Sequence, residues 1–232
     1  PLKVNAMAQK EFQQIFPEPG WVEHDPMEIW VSQATVAKEA MLKLNIRAEG
    51  IAAIGITNQR ETSLLWDRRT GEPFNNAIVW QCRRTTDFCD SLRRAGHEPF
   101  IRRKSGLVLD PYFSASKYRW LLRNTRGIGS ALKAGNVAAG TIDSFLIWQL
   151  TAGGSHVTDI SNASRTSLMN IDSVDWDPQL LELFEVPGSI LPRIVPSSGV
   201  LGHTRGVAGL PDGIPISGVA GDQQAALFGQ AC

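Results

Sequence analysis

One run of residues limits the possible folds more than any other. Ile51-Ala-Ala-Ile-Gly-Ile56 is six apolar residues long and gives way at once to the polar cluster Thr57-Asn-Gln-Arg-Glu61. A short continuous apolar run, without alternation, is the pattern of a strand buried on both faces. Such a strand needs covering layers, and the flanking sequence supplies helices to make them. Asp25 followed by Pro26 marks a helix start: a capping carboxylate, then a residue whose missing N–H costs nothing in the first turn. Ile29, Trp30, Ala34, Ala37, Met41 and Leu44 follow at helical spacing, which predicts an amphipathic core helix.

The alternation continues to the end of the chain. Strands are expected over 63–67 and 77–80, separated by a turn at 68–72. A helix is expected over 85–95, with Gly96 placed to stop it, and another begins where Ser114 would cap it. A strand over 137–140 leads through Thr141-Ile-Asp143 into a helix over 144–150, and Asp177-Pro178 opens a helix to about Phe184. A strand over 214–219 then runs through Gly221-Asp222 into a helix over 223–230. Strands interleaved with helices make an α/β protein. The 232 residues, 43% hydrophobic and 20% charged, suffice for one large domain or two small ones.

Composition removes several function classes. With 23 Lys+Arg against 23 Asp+Glu, the chain has no electrostatic footprint for nucleic acid or an anionic membrane. No apolar run approaches the ~18 residues of a membrane span, and Lys3, Gln9, Lys10 and Glu11 interrupt any signal-peptide core. Three cysteines (Cys82, Cys89 and Cys232) form no CxxC pair and no zinc pattern with histidine, which points to a reduced, cytoplasmic setting. The pairs Arg83-Arg84, Arg93-Arg94 and Arg102-Arg103 are expected on solvated faces. Pro1 and Cys232 read as cut ends.

Three places carry candidate chemistry. Asn58-Gln-Arg-Glu61 lies at the carboxyl end of the apolar strand, where open α/β sheets bind ligands. Arg60 and Glu61 set a donor fork beside a pure acceptor, which suits a neutral polyhydroxy compound; a surface ion pair at a strand end is the alternative. Asp222, in Gly221-Asp-Gln-Gln224, lies at a strand-to-helix junction. It is either a helix cap or a general base that takes a hydroxyl proton during phosphoryl transfer. Tyr112, in Asp110-Pro-Tyr-Phe-Ser114, is a substrate hydrogen-bonder or a loop aromatic, and Trp80 is a pocket wall or core. There is no GxxxxGK[ST] loop, no GxGxxG after a strand, no HRD or DFG triplet and no GxSxG elbow.

Taken in order, these blocks resemble the FGGY carbohydrate kinase family. The stretch Tyr112-x-Ser114-x-x-Lys117-Tyr118-x-Trp120-Leu121-x-Arg123-Asn124 looks like the signature of the whole family. Gly55-Ile-Thr-Asn-Gln-Arg-Glu61, Asn76-Ala-Ile-Val-Trp-Gln-Cys-Arg-Arg-Thr85, Asn162-Ala-Ser-Arg-Thr166 and the block 218–230 resemble its glycerol-phosphorylating branch more specifically. The resemblance implies the N-terminal lobe of a two-lobed kinase with the actin-like, ribonuclease-H-like fold. It implies glycerol bound through Arg60, Glu61, Tyr112, Asp222 and Gln223, with Trp80 lining the pocket. Asp222 would be the base for a hydroxyl that attacks ATP, giving sn-glycerol 3-phosphate and ADP, with Mg2+ accompanying the nucleotide. A cytoplasmic homo-oligomer, dimer or tetramer, is also implied.

The chain departs from the family pattern at both ends. A glycine- and threonine-rich phosphate loop of the Asp-Gln-Gly-Thr-Thr type is missing near its start, and a second, ATP-binding domain is missing beyond residue 232. The expectation is therefore a glycerol-binding domain over 1–232 that begins inside the family's N-terminal domain and carries no nucleotide site. By itself it would not be catalytically competent. A kinase for another polyol or a pentulose, or a non-catalytic binding fragment, remains the alternative.

Overall fold

The computed structural model describes residues 3–46 and 50–231; Pro1 and Cys232 lie outside them. The chain begins with β1 (Glu23–His24), α1 (Pro26–Leu44), β2 (Ile54–Asn58), β3 (Ser63–Asp67) and β4 (Ala77–Ile78). Then come α2 (Thr86–Arg94), α3 (Glu98–Ser105), α4 (Ser114–Asn124), α5 (Ile128–Lys133), β5 (Val137–Thr141) and α6 (Ile142–Leu150). The last third holds β6 (Val157–Asp159), α7 (Ile160–Ala163), β7 (Met169–Asn170), β8 (Asp175–Trp176) and α8 (Pro178–Leu183). It closes with β9 (Arg193–Val195), β10 (Ser198–His203), β11 (Pro215–Gly221) and α9 (Asp222–Gly229). Among the described residues no helix is long and apolar enough to cross a membrane.

Two sheets organise these elements. The first is antiparallel, in the order β1-β4-β3-β5, with β3 and β5 in register from Ser63 opposite Thr141 to Asp67 opposite Val137. The second has the order β10-β11-β2, and there β11 and β2 run parallel with Gly221 level with Asn58. That register sets two carboxyl-terminal strand ends side by side, and the polar site grows from them. Trp66 of β3 packs edge-on against Phe145 (5.5 Å), Trp148 (5.9 Å) and the partly buried His156 (5.2 Å), with Trp66 and Phe145 fully buried. Aromatic pairs in this geometry contribute about 0.5–1.5 kcal/mol beyond their burial.

Most expected elements stand where the sequence places them. Asp25 caps α1 by accepting the Met27 N–H at 2.8 Å, and Asp177 caps α8 through Gln179 and Leu180. Gly96, at φ +81°, follows the end of α2 in a conformation open to glycine. Four expectations need correction. The strand begins at Ile54 rather than Ile51, and Gly55 and Thr57 are exposed, so β2 is half-buried. The reason is its place in the sheet: β11 is its partner and its other edge has none among the described strands. Ser114 does not cap α4 but starts it, and its hydroxyl donates to the Glu61 carbonyl instead (3.2 Å). Asp222 is likewise the first residue of α9, whose capping position is Gly221. Finally, the side chain of Arg84 is buried, its guanidinium lying 3.9 Å from the Trp21 ring and 4.6 Å from that of Trp120, paired with Glu23 at 2.7 Å. A guanidinium loses its hydration more cheaply than an ammonium and stacks on aromatic faces, which lets Arg84 leave the surface.

A groove of about 510 Å3 runs between α1 and β2, lined by Trp30, Ala34, Ala37, Met41, Ile54 and Ile56 among others. It is mostly apolar and contains none of Arg60, Glu61, Tyr112 or Asp222.

Candidate active site

The site forms where β2 and β11 end together. Arg60 leaves β2 and lies across Gly221, the last residue of β11. A Cβ on Gly221 would fall 2.2 Å from Arg60 Cδ, so the absence of a side chain is what lets the arginine cross. Arg60 Nη2 donates to Gln223 Oε1 at 2.7 Å, and its Nε lies 3.3 Å from Asp222 Oδ1. The guanidinium is only 5% exposed, whereas Asp222 is 57% exposed. Asp222 Oδ1 also accepts the Gln223 N–H at 2.8 Å. The carboxylate is thus held on one side by a fixed cation and at a helix start, where negative charge is favoured, while its other side faces solvent.

Glu61, the next residue, is held by a different set of partners. Its φ is +60°, and the Thr62 N–H closes on the Arg60 carbonyl at 2.7 Å, a three-residue turn that non-glycine residues seldom adopt. Strain of this kind costs of order 1–3 kcal/mol and gathers at functional sites. Here the hydroxyls of Ser63 (2.9 Å) and Ser114 (3.2 Å) hold the turn by donating to the Glu61 carbonyl. The carboxylate, 2% exposed, accepts from Arg165 Nε at 2.6 Å. Burial, the largest influence, raises its pKa above the ordinary carboxylate value, and Arg165, through its hydrogen bond and charge, and then Arg60 and Lys117 offset part of that rise.

Tyr112 and Trp80 form an aromatic wall. Their rings meet edge to face at 5.5 Å and 67°, and Trp80 is 39% exposed, so it is no core residue. Behind Tyr112, the fully buried Lys117 donates to the Tyr112 carbonyl and to that of Phe113 (3.1 Å). Burial pulls the Lys117 ammonium down to about 7, opposed by the charge of Glu61.

A polar layer beneath the strand ends supports this face. The Gly221 N–H donates to Ser161 Oγ at 2.8 Å, and Ser161 Oγ donates in turn to Asp159 Oδ2 at 2.6 Å. Asp159 also accepts from Ser197 Oγ (2.6 Å), Asn162 Nδ2 (2.7 Å) and the Asn162 N–H (3.0 Å). Asn58 links across to Asn162 Oδ1 at 3.0 Å. Nearby Asp143 is fully buried, which pushes its pKa up to about 6 against the Thr141 and Thr158 hydroxyls that it accepts. The residue preceding Asp222 is therefore tied through Ser161 to a carboxylate that is itself saturated with donors.

The structure brings Arg60, Asp222 and Gln223 into direct contact, sets Glu61 next to Arg60, and pairs Trp80 with Tyr112. Residue reading missed the supporting side chains Arg165, Lys117, Ser161 and Asp159. Arg165 and Lys117 lie inside blocks that carried the family resemblance, but nothing in their spacing connects them to Glu61 or Tyr112. Chemically, the face offers a solvent-open carboxylate, a buried guanidinium, a second carboxylate and an aromatic wall. These are donors and acceptors for a small hydroxylated molecule. Among the described residues no three His, Cys, Asp or Glu side chains could hold a metal ion.

The chain is similar to known proteins along nearly its whole length. The chain is 60% identical over 225 residues to a glycerol kinase of Alkalilimnicola ehrlichii, covering 97% of this chain and 45% of that protein. It is 56% identical over 230 residues to glycerol kinase 2 of Thermotoga maritima, covering 99% and 46%. The chain thus spans about half the length of the curated relatives it matches. Among solved structures, a Plasmodium falciparum glycerol kinase with ADP superposes with a TM-score of 0.89 at 37% identity, covering 96% of this chain and 44% of that one. A xylulose kinase from Lactobacillus acidophilus, 23% identical with a TM-score of 0.82, shares the α/β fold of these actin-like sugar kinases. Residues 2–229 match the model of the N-terminal domain of the FGGY family of carbohydrate kinases, and the chain belongs to that family.

Proposed function

We propose that this chain is the polyol-binding domain of an ATP-dependent glycerol kinase. The observation that carries the reading is the Arg60–Asp222–Gln223 cluster, with Glu61 on the next residue and Asp222 open to solvent. Each hydroxyl of a neutral triol both donates and accepts, so it needs the mixture that this face offers. Arg60 donates to one hydroxyl, Glu61 accepts from another, and Trp80 and Tyr112 cover the carbon chain. Asp222 accepts the proton of the terminal hydroxyl as its oxygen bonds to the γ-phosphorus of ATP. The bond from that phosphorus to the ADP oxygen breaks, and the products are sn-glycerol 3-phosphate and ADP. In a loose transition state the proton leaves late, so Asp222 acts chiefly by orienting the hydroxyl and needs no raised pKa.

The resemblance implies Mg2+ with the nucleotide, an ion that substrate phosphates, water and one or two carboxylates usually hold; among the described residues no group of three or more His, Cys, Asp or Glu side chains could hold a metal ion by itself. A second, nucleotide-binding domain, a cytoplasmic setting and a homo-oligomer belong to the same reading. The test is Asp222→Asn in a protein of the relatives' full length. Its kcat for glycerol should fall by ~10²–10⁴-fold, the usual contribution of a positioned base. A kcat near that of the unsubstituted protein would remove the base assignment.

A further inference from the structure

Glu61 is buried and strained, and its carboxylate makes its closest polar contact with a residue outside the expected site. Arg165 follows α7 and reaches back so that Nε donates to Glu61 Oε1 at 2.6 Å. The same guanidinium lies 5.4 Å from the Tyr112 ring centroid and 4.9 Å from that of Phe113. One side chain therefore touches both the acceptor and the aromatic wall, which come from loops some fifty residues apart. A buried carboxylate left without a cation takes up a proton and ceases to be a pure acceptor. A guanidinium suits the task because it stays charged and presents its donors in a rigid plane that also stacks on rings.

We propose that Arg165 is a positioning residue of the polyol subsite, holding Glu61 ionised and aimed at the substrate while bracing Tyr112 from behind. This rests on the reading of the site as a glycerol subsite. The charged groups facing Glu61 are Arg165 from the segment after α7, Arg60 from its own turn and Lys117 from α4. Arg165 makes the direct hydrogen bond to the carboxylate, and Lys117 spends its own hydrogen bonds on two carbonyls. Without Arg165, burial acts against two cations instead of three.

The experiment measures glycerol kcat and KM between pH 5.5 and 9 in the full-length protein and its Arg165→Met, Arg165→Lys and Glu61→Gln variants. Arg165→Met should raise the glycerol KM by ~10- to 100-fold at the acid end, matching the loss of one charge-assisted hydrogen bond. The acid limb of its kcat/KM profile should move up by about one pH unit or more, because that limb reports a group of the free enzyme. Arg165→Lys should keep the limb near its original position while raising KM, since an ammonium retains the charge and loses the fork. In the Glu61→Gln background, Arg165→Met should no longer shift the limb. A purely structural arginine would lower kcat/KM by the same factor at every pH, and that outcome overturns the proposal. Should Arg165→Met fail to fold, Arg165→Lys decides: an acid limb displaced as far as one pH unit refutes the charge-holding role. If the unsubstituted protein does not phosphorylate glycerol, the functional reading itself fails; if it does and the variants keep its profile, only the role of Arg165 falls.

Discussion

Gly221→Ala tests the idea that the site is built on a close crossing of side chain over backbone. Gly221 has φ −57° and ψ 153°, which alanine adopts freely, so the substitution carries no backbone penalty. The cost is steric. The new Cβ would lie 2.2 Å from Arg60 Cδ, 2.8 Å from Arg60 Cγ and 2.9 Å from Gln224 Oε1. Arg60 must therefore swing away, breaking its hydrogen bond to Gln223 and its pairing with Asp222. Losing a hydrogen bond to a charged group costs about 1.5–3 kcal/mol, and forcing extra atoms into a packed site about 1–3 kcal/mol. The Asp222 pairing adds little because that carboxylate is 57% exposed and solvent screens it. Alanine returns about 0.4–1 kcal/mol through the unfolded chain. The net expectation is a loss of roughly 2–4 kcal/mol, or about 4–16 °C in Tm for a domain of this size. Urea unfolding and thermal melts read it, with Gly55→Ala as the control. A Cβ at Gly55 meets nothing within 4 Å, so the control should stay within about 0.5 kcal/mol of the parent. On the proposed glycerol reading, the KM of Gly221→Ala in a protein of the relatives' full length should rise in parallel, because the same movement withdraws a donor from the site. A Gly221→Ala protein as stable as the control, with unchanged KM, would refute the crossing argument.

Two further outcomes follow from other parts of the molecule. Lys117 has its pKa lowered by burial from 10.5 to about 7, so between those values the unfolded chain binds more protons than the folded one. Stability should therefore climb as pH rises from about 7 towards 10.5, at up to ~1.4 kcal/mol per pH unit, and Lys117→Met should lose that climb. Urea unfolding at pH 7 and 9.5 checks it, and identical pH profiles for the two proteins would count against it. Gly140→Ala would set a Cβ 2.6 Å from that of Ser144 and 3.0 Å from Trp66 Cη2. A destabilisation of about 1–3 kcal/mol by overpacking is expected, with perturbed tryptophan fluorescence; a melt matching the parent's would show that the Trp66 cluster has slack.

Local signals served best where a single residue type carries the physics. Asp25-Pro26 and Asp177-Pro178 start helices because a carboxylate can take the first free N–H groups and proline wastes none, and both do so. Elements without a local signal are short or one-sided. α3 buries only Ile101 and Ser105 in eight residues, too few to show a helical period, although Pro99 stands in its first turn. β6 and β9 are three residues each, and their pairing joins segments more than thirty residues apart. The charge of Arg84 suggests a solvated position, and only the placement of Trp21 and Trp120 makes its burial tolerable.

The division at the site is similar. Arg60, Glu61 and Asp222 are recognisable in the chain itself as charged residues following apolar strands, because strand ends are where a sheet meets solvent. The amino-acid order by itself therefore determined the class of fold, the strand ends that bear the chemistry and the family. The tertiary structure decided that β11 lies parallel to β2 with Gly221 level with Asn58, which puts Arg60 on Asp222 across 162 positions of sequence. It also decided that Arg165 and Lys117 converge behind Glu61 and Tyr112. Contacts of that kind depend on register and on which side chains share a buried volume. Neither leaves a periodic trace along a single chain.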